Sequence, residues 1–234
     1  MDQLRRKTLL ALLALPAGCG TTPRLPAMRT EPLPNPAGEP NIRRPALGQS
    51  WTYQKFNWFN SALVATEREE VAALEPKIII RRTTDAGQVL PEEHHSQWGQ
   101  VVRDPAWDFV QNYVDPVPIW PESLAVGTKT STRTKYRLDN VTHEYWITID
   151  TVVKAWERIY LTNGQFDALR IEKFIRIDHS DLSRAWTTRR DVLWLVPGIG
   201  RWAAREISGD YLTTGRENSR EHEPQFRWEL TAWT

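Results

Sequence analysis

In this chain of 234 residues, 30 lysine and arginine side chains face 29 aspartates and glutamates, a formal net charge of +1 that offers nucleic acid no basic surface to grip. A single cysteine rules out an internal disulfide, so the fold must be held by packing alone. The 12 tryptophans supply ample apolar surface for a core.

The chain opens with Arg5, Arg6 and Lys7, then Leu9 to Leu15, a run of leucine and alanine only, then the small residues Ala17 and Gly18 before Cys19. A membrane-spanning helix needs about 20 apolar residues, so this run reads instead as the apolar centre of an export signal. The stretch Leu15-Pro16-Ala17-Gly18-Cys19 resembles the lipobox of bacterial lipoproteins, with the leucine one place early and Pro16 in its usual site. The resemblance implies a signal peptide over 1–18, cleavage before Cys19, and lipidation of its thiol with palmitate-type chains. Each buried methylene contributes about 0.8 kcal/mol, so two or three chains hold a protein stably on a bilayer. Gly20 stands where an aspartate would retain such a protein in the inner membrane, which implies the outer membrane, facing the periplasm. Arg5-Arg6 leaves open whether export follows the general or the twin-arginine route.

Residues 19–46 form a proline-rich linker, with prolines at 23, 26, 32, 34, 36, 40 and 45. That density favours polyproline II, a semi-rigid spacer of up to roughly 80 Å if extended, or simply a leader without a required length.

Every aromatic residue falls in 47–234, which reads as one antiparallel β domain. Along Tyr145 to Trp156 and Phe166 to Asp178, apolar and polar side chains alternate with period two, as in strands with one dry face and one wet face. Further strands are predicted at Trp51–Phe59, Leu63–Ala73, Lys77–Thr84, His94–Val102, Lys129–Leu138, Ala185–Val196, Gly200–Ser208, Tyr211–Glu217 and Gln225–Trp233, joined by short polar turns. The fold class is therefore mainly β: an antiparallel meander forming a curved sheet or half-barrel, or alternatively a two-sheet sandwich. Asp104-Pro105 predicts one short helix over 105–113. Pro197-Gly198 predicts a type II turn with Gly198 at positive φ.

Candidate catalytic groups are unconvincing, and the sequence predicts neither catalytic residues nor a metal or cofactor. In Glu92-Glu93-His94-His95 the neighbouring imidazoles of a strand point to opposite faces, so they read as a solvated strand start and not as a metal site. Asp178-His179-Ser180 holds the letters of a triad, but side chains adjacent in a turn diverge. Trp107, Phe109, Tyr113 and Trp120, in the helix and the proline-rich crossing behind it, are the candidate ligand- or partner-binding residues. A lid there would present flat apolar faces; the alternative is that they plug one end of the sheet.

"GQFDALRIEKF", a polar turn and "RDVLWLVPGIGRWAAREISGDY", over Gly164 to Tyr211, resemble a pattern in bacterial envelope proteins that are themselves similar to the half-barrel carriers LolA and LolB. Taken together, these features suggest a lipid-anchored, non-catalytic binding or assembly module whose partner is an envelope protein or cell-wall component. The half-barrel resemblance implies an alternative, a carrier of lipid or another amphiphile. An enzyme acting on envelope polysaccharide is the third reading.

Overall fold

The computed structural model describes residues 25–107, 109–214 and 219–234; the signal segment and Cys19 lie outside them. Among the described residues the secondary structure is all strand apart from one turn of 3-10 helix, Pro197–Ile199. The strands of the described residues begin with β1 (Thr30–Leu33), followed by β2 (Ser50–Asn57), β3 (Leu63–Ala73), β4 (Ile78–Thr84), β5 (Val89–Gln97), β6 (Gln100–Asp104), β7 (Gln111–Pro118) and β8 (Lys129–Leu138). They continue with β9 (Tyr145–Leu161), β10 (Gly164–Ile177), β11 (Arg184–Val196), β12 (Arg201–Thr213), β13 (Arg220–His222) and β14 (Phe226–Trp233).

From β2 to β12 each strand pairs antiparallel with the next, β14 joins β12 to β2, and the β8–β9 pairing completes the ring β9-β10-β11-β12-β14-β2-β3-β4-β5-β6-β7-β8, a barrel of 12 strands, with β1 added on β9 and β13 on β12. The antiparallel meander read from the sequence is present. The sheet runs on past the half-barrel that the carrier resemblance implied, because β9 is 17 residues long and offers its edge twice: to β8 along its first half and to β1 along its second.

The alternation that predicts strands also sorts the two faces. Along β10, Ile171, Lys173, Ile175 and Ile177 are buried, whereas Phe174 and Arg176 are exposed. Lys129, Ser131, Arg133 and Arg137 of β8 also face water. A membrane-spanning barrel wears an apolar band outside and a polar lumen; this wall is charged outside and its interior is filled with side chains. One apolar cluster gathers Trp51, Tyr53, Leu193, Leu195, Trp202 and Trp228; a second gathers Val101, Trp107, Tyr113, Tyr136, Ile149 and Ile175.

The predicted helix over 105–113 is not formed. Asp104 Oδ1 accepts the Ala106 amide at 2.9 Å, and its Oδ2 accepts the Trp107 indole N–H at 3.0 Å and the Tyr113 hydroxyl at 3.2 Å. The side chain thus closes a bend that returns the chain into β7 and does not cap a helix. Proline is tolerated in β7 because the strand pairs with β8 only through Gln111 to Tyr113, so Pro116 and Pro118 break no ladder on that side.

The linker also differs from a free spacer from Leu25 onward. The Leu25 amide donates to the Trp58 carbonyl at 3.1 Å, Arg227 Nη1 donates to the Pro26 carbonyl at 2.8 Å, and the Arg43 amide donates to the Pro197 carbonyl at 2.9 Å. The prolines keep this strap extended, and the barrel wall supplies the hydrogen-bond partners that polyproline II lacks.

At Pro197-Gly198-Ile199-Gly200 the glycine at positive φ is Gly200 (φ 74°), not Gly198. A Cβ at Gly200 would lie 2.6 Å from the Arg43 carbonyl oxygen. Gly200→Ala is expected to lower stability by about 1–3 kcal/mol in urea denaturation, through left-handed strain and displacement of the strap. Gly198→Ala, where an added Cβ meets nothing within 4 Å, is expected to stay within about 0.5 kcal/mol of the parent.

Candidate binding surface

Between the two apolar clusters lies a layer of buried charge. Arg201, 1% exposed, donates from Nε to Glu69 Oε2 at 2.6 Å and pairs through Nη2 with Glu93 Oε1 at 3.0 Å. Glu93 is in turn 2.7 Å from His95 Nε2, and Arg205 grips Asp191 through two bonds of 3.0 and 2.7 Å. Burial raises the Glu93 carboxyl, but Arg201 and His95 outweigh it and hold the group below the usual carboxylate range. Glu69, with burial only partly offset by Arg201, is pushed up. Burial lowers the Lys173 ammonium to about 8, against the pull of Asp191.

Beside this layer is a cavity of about 20 Å³ bordered by Glu93, Asp104, Lys173, Asp191, Arg201 and Arg205, room for one water molecule. His95 does face inward and His94 the other way, as the strand period requires, but Glu93 and His95 are core and not a solvated start.

The four aromatics singled out in the sequence do not form one face. Trp107 and Tyr113 are buried at one end of the barrel, hydrogen-bonded to each other at 3.1 Å, with the Arg189 guanidinium 4.2 Å from the Trp107 ring. They are a plug. Phe109 is exposed beside them. Trp120 lies beyond the far end of β7, edge-on to Trp98 at 5.8 Å between centroids, in the closure of the opposite end.

The open surface that carries chemistry is a groove of about 640 Å³ on the outer wall across β8 to β11, bordered by Arg133, Trp146, Thr148, Arg176, Trp186 and Thr188. Arg133 lies over the Trp146 ring at 4.3 Å, and Arg176 Nη2 is held by Asp150 at 2.9 Å. Trp186 is 81% exposed and sits in the left-handed region at φ 52°, where the β11–β12 register slips between Ala185 and Thr188. A bulky residue there costs on the order of 1–2 kcal/mol and gains no packing in return. The period-two pattern of β9 and β10 already placed Trp146, Thr148 and Arg176 on the outer face. Nothing local marked Trp186, because the irregularity that turns it outward depends on the neighbouring strand.

No family model matches the chain, and no curated protein matches it in sequence. Two solved structures do resemble it. A candidate lipoprotein of Parabacteroides distasonis is similar with a TM-score of 0.50 and 14% identity, over 84% of this chain and 100% of that one. A candidate exported protein of Bacteroides fragilis with a YmcC-like fold has a TM-score of 0.46 and 13% identity, over 83% and 99%. The likeness is one of fold.

Proposed function

We propose that this protein is an envelope lipoprotein, acylated on Cys19 and held at the periplasmic face of the outer membrane, that acts without catalysis as a binding module for an acidic envelope glycan. The observation that carries this reading is the groove: two indoles, one of them exposed on strained backbone, beside two arginines, on a barrel whose interior cavity beside the charged layer is, among the described residues, about 20 Å³. Indole faces stack on the apolar faces of sugar rings, and guanidinium groups grip carboxylates in pairs. The carrier reading loses support because a cavity of about 20 Å³ does not take an acyl chain. Support for the anchor comes from the lipobox-like residues before Gly20.

The test is Trp186→Gly, because glycine accepts the left-handed φ without strain. Binding of uronate-bearing oligosaccharides, followed by calorimetry, is expected to weaken about tenfold or more, while thermal stability is unchanged or higher. Equal affinity in parent and variant would remove the groove as the site. Labelled palmitate entering the parent but not Cys19→Ser tests the anchor separately.

A further inference from the structure

The strands of a meander return on themselves, so alternate hairpin loops lie at the same end of the barrel. One end carries the β2–β3, β4–β5, β6–β7, β8–β9 and β10–β11 loops. Large apolar side chains stand in water on these loops or beside them: Phe59 and Leu63, Val89 (72% exposed), Phe109, Val141, and Leu182 (89% exposed). Single exposed apolar residues are ordinary on any protein surface. Their recurrence on five successive loops of one end is not, and it gives that end an apolar rim. The opposite end is sparser: its β5–β6, β9–β10 and β11–β12 turns expose no large apolar side chain, and beside Leu47 (69% exposed) it shows only the less exposed Leu74, Val126 and Trp233.

The path of the chain decides what the rim faces. The strap stays at the far end from the Arg43 contact at Pro197 through the pairing of β1 with the last residues of β9, and from Arg29, whose carbonyl accepts the Tyr160 amide at 3.2 Å, it crosses to the Leu25 contact at Trp58, in the β2–β3 connection of the apolar end. Cys19 stands only six positions before Leu25, a reach of at most about 20 Å however the chain is extended. An acyl group on Cys19 therefore leaves the rim nearer the bilayer than the Pro197 turn and Leu47 of the opposite end, since the eight residues of β7 alone span about 25 Å.

We infer that the apolar end of the barrel is seated on the phospholipid surface that holds the anchor, with Phe59, Leu63, Val89, Phe109 and Leu182 entering the interfacial layer. The inference rests on the anchor proposed above. Two or three acyl chains already hold the protein stably, and the rim adds apolar contact beside them. It also fixes the orientation: the barrel axis stands away from the membrane, and the Trp146/Trp186 groove opens sideways, close to the bilayer.

The experiment uses the full acylated protein in vesicles of phosphatidylethanolamine and phosphatidylglycerol containing a doxyl-labelled lipid. Cys19 is the chain's only cysteine, so in the acylated protein Leu182→Cys, Val89→Cys or Leu47→Cys each adds one free thiol for an environment-sensitive dye. Dyes at positions 182 and 89 are expected to lose most of their emission to the doxyl lipid, and the dye at position 47 to keep it. Flotation with the vesicles and no quenching at 182 or 89, or equal quenching at 47, would overturn the seating and leave the anchor standing. A chain that fails to float, with Cys19 itself open to the dye, would overturn both.

Discussion

Replacing Arg201 with methionine is expected to destabilise the barrel by about 3–5 kcal/mol, enough to unfold a domain of ordinary stability. The side chain is 1% exposed and is shared by two carboxylates, Glu69 at 2.6 Å and Glu93 at 3.0 Å. Its guanidinium also lies 4.6 Å from the Trp202 ring. Methionine keeps much of the volume and the apolar contact, so the loss measured is that of removing the cation two buried carboxylates share, leaving Glu69 with Arg82 at 3.7 Å and Glu93 with His95 at 2.7 Å, not that of a cavity. Adding Glu69→Gln and Glu93→Gln to Arg201→Met should restore part of the stability, because amides need no counter-ion. Arg220→Met is the control: Arg220 pairs with Asp210 at 2.8 Å but is 68% exposed, and such pairs contribute about 0–1 kcal/mol. Urea unfolding curves for the four proteins decide the matter, and equal losses for Arg201→Met and Arg220→Met would refute the role assigned to the buried layer.

That layer was also where the sequence was least legible. Leu63–Ala73 and Lys129–Leu138 form strands with the predicted limits, because period-two alternation is set by which face is wet, and the chain alone carries that information. Glu67, Glu69, Arg82 and Glu93 obey the same alternation, but each is a charged residue on the inward face, so read singly they look like solvent. Only closure of the ring brings Arg201 of β12 onto Glu69 of β3, positions 132 residues apart. The helix predicted over 105–113 fails to form for a related reason. Asp104-Pro105 is a sound local start signal, but Tyr113 and Trp107, arriving from later in the chain, compete for the same carboxylate and win it. In the groove, Trp146 and Arg176 were visible as outward residues of regular strands, whereas Trp186 depends on a slip in register that only the partner strand defines.

Lys173 should make the protein more stable as the solution becomes more alkaline. Burial brings its ammonium to about 8, despite Asp191, whereas the unfolded chain titrates near 10.5. Between those values the unfolded state binds the additional proton, so the free energy of unfolding rises with pH across the window, by up to about 3 kcal/mol. Below about 8 the full penalty of the buried charge is present and the contribution is flat. Lys173→Met is therefore expected to be more stable than the parent at pH 7, by about 1–3 kcal/mol, with the gap closing by pH 10. The substitution removes a hydrogen bond of 3.1 Å to the Pro118 carbonyl, but the adjoining cavity of about 20 Å³ is bordered by both residues and admits a water to replace it. Buried Tyr53 and Tyr113, which burial raises well above the ordinary phenol range, lower stability at high pH in both proteins alike and cancel in the difference. Urea unfolding at pH 7 and pH 10 measures that difference directly. A parent more stable than the variant at pH 7 would mean that Asp191 and Pro118 hold the charge more strongly than burial opposes it. The interior would then be a set of mutually satisfied ions, not a packed core that tolerates them.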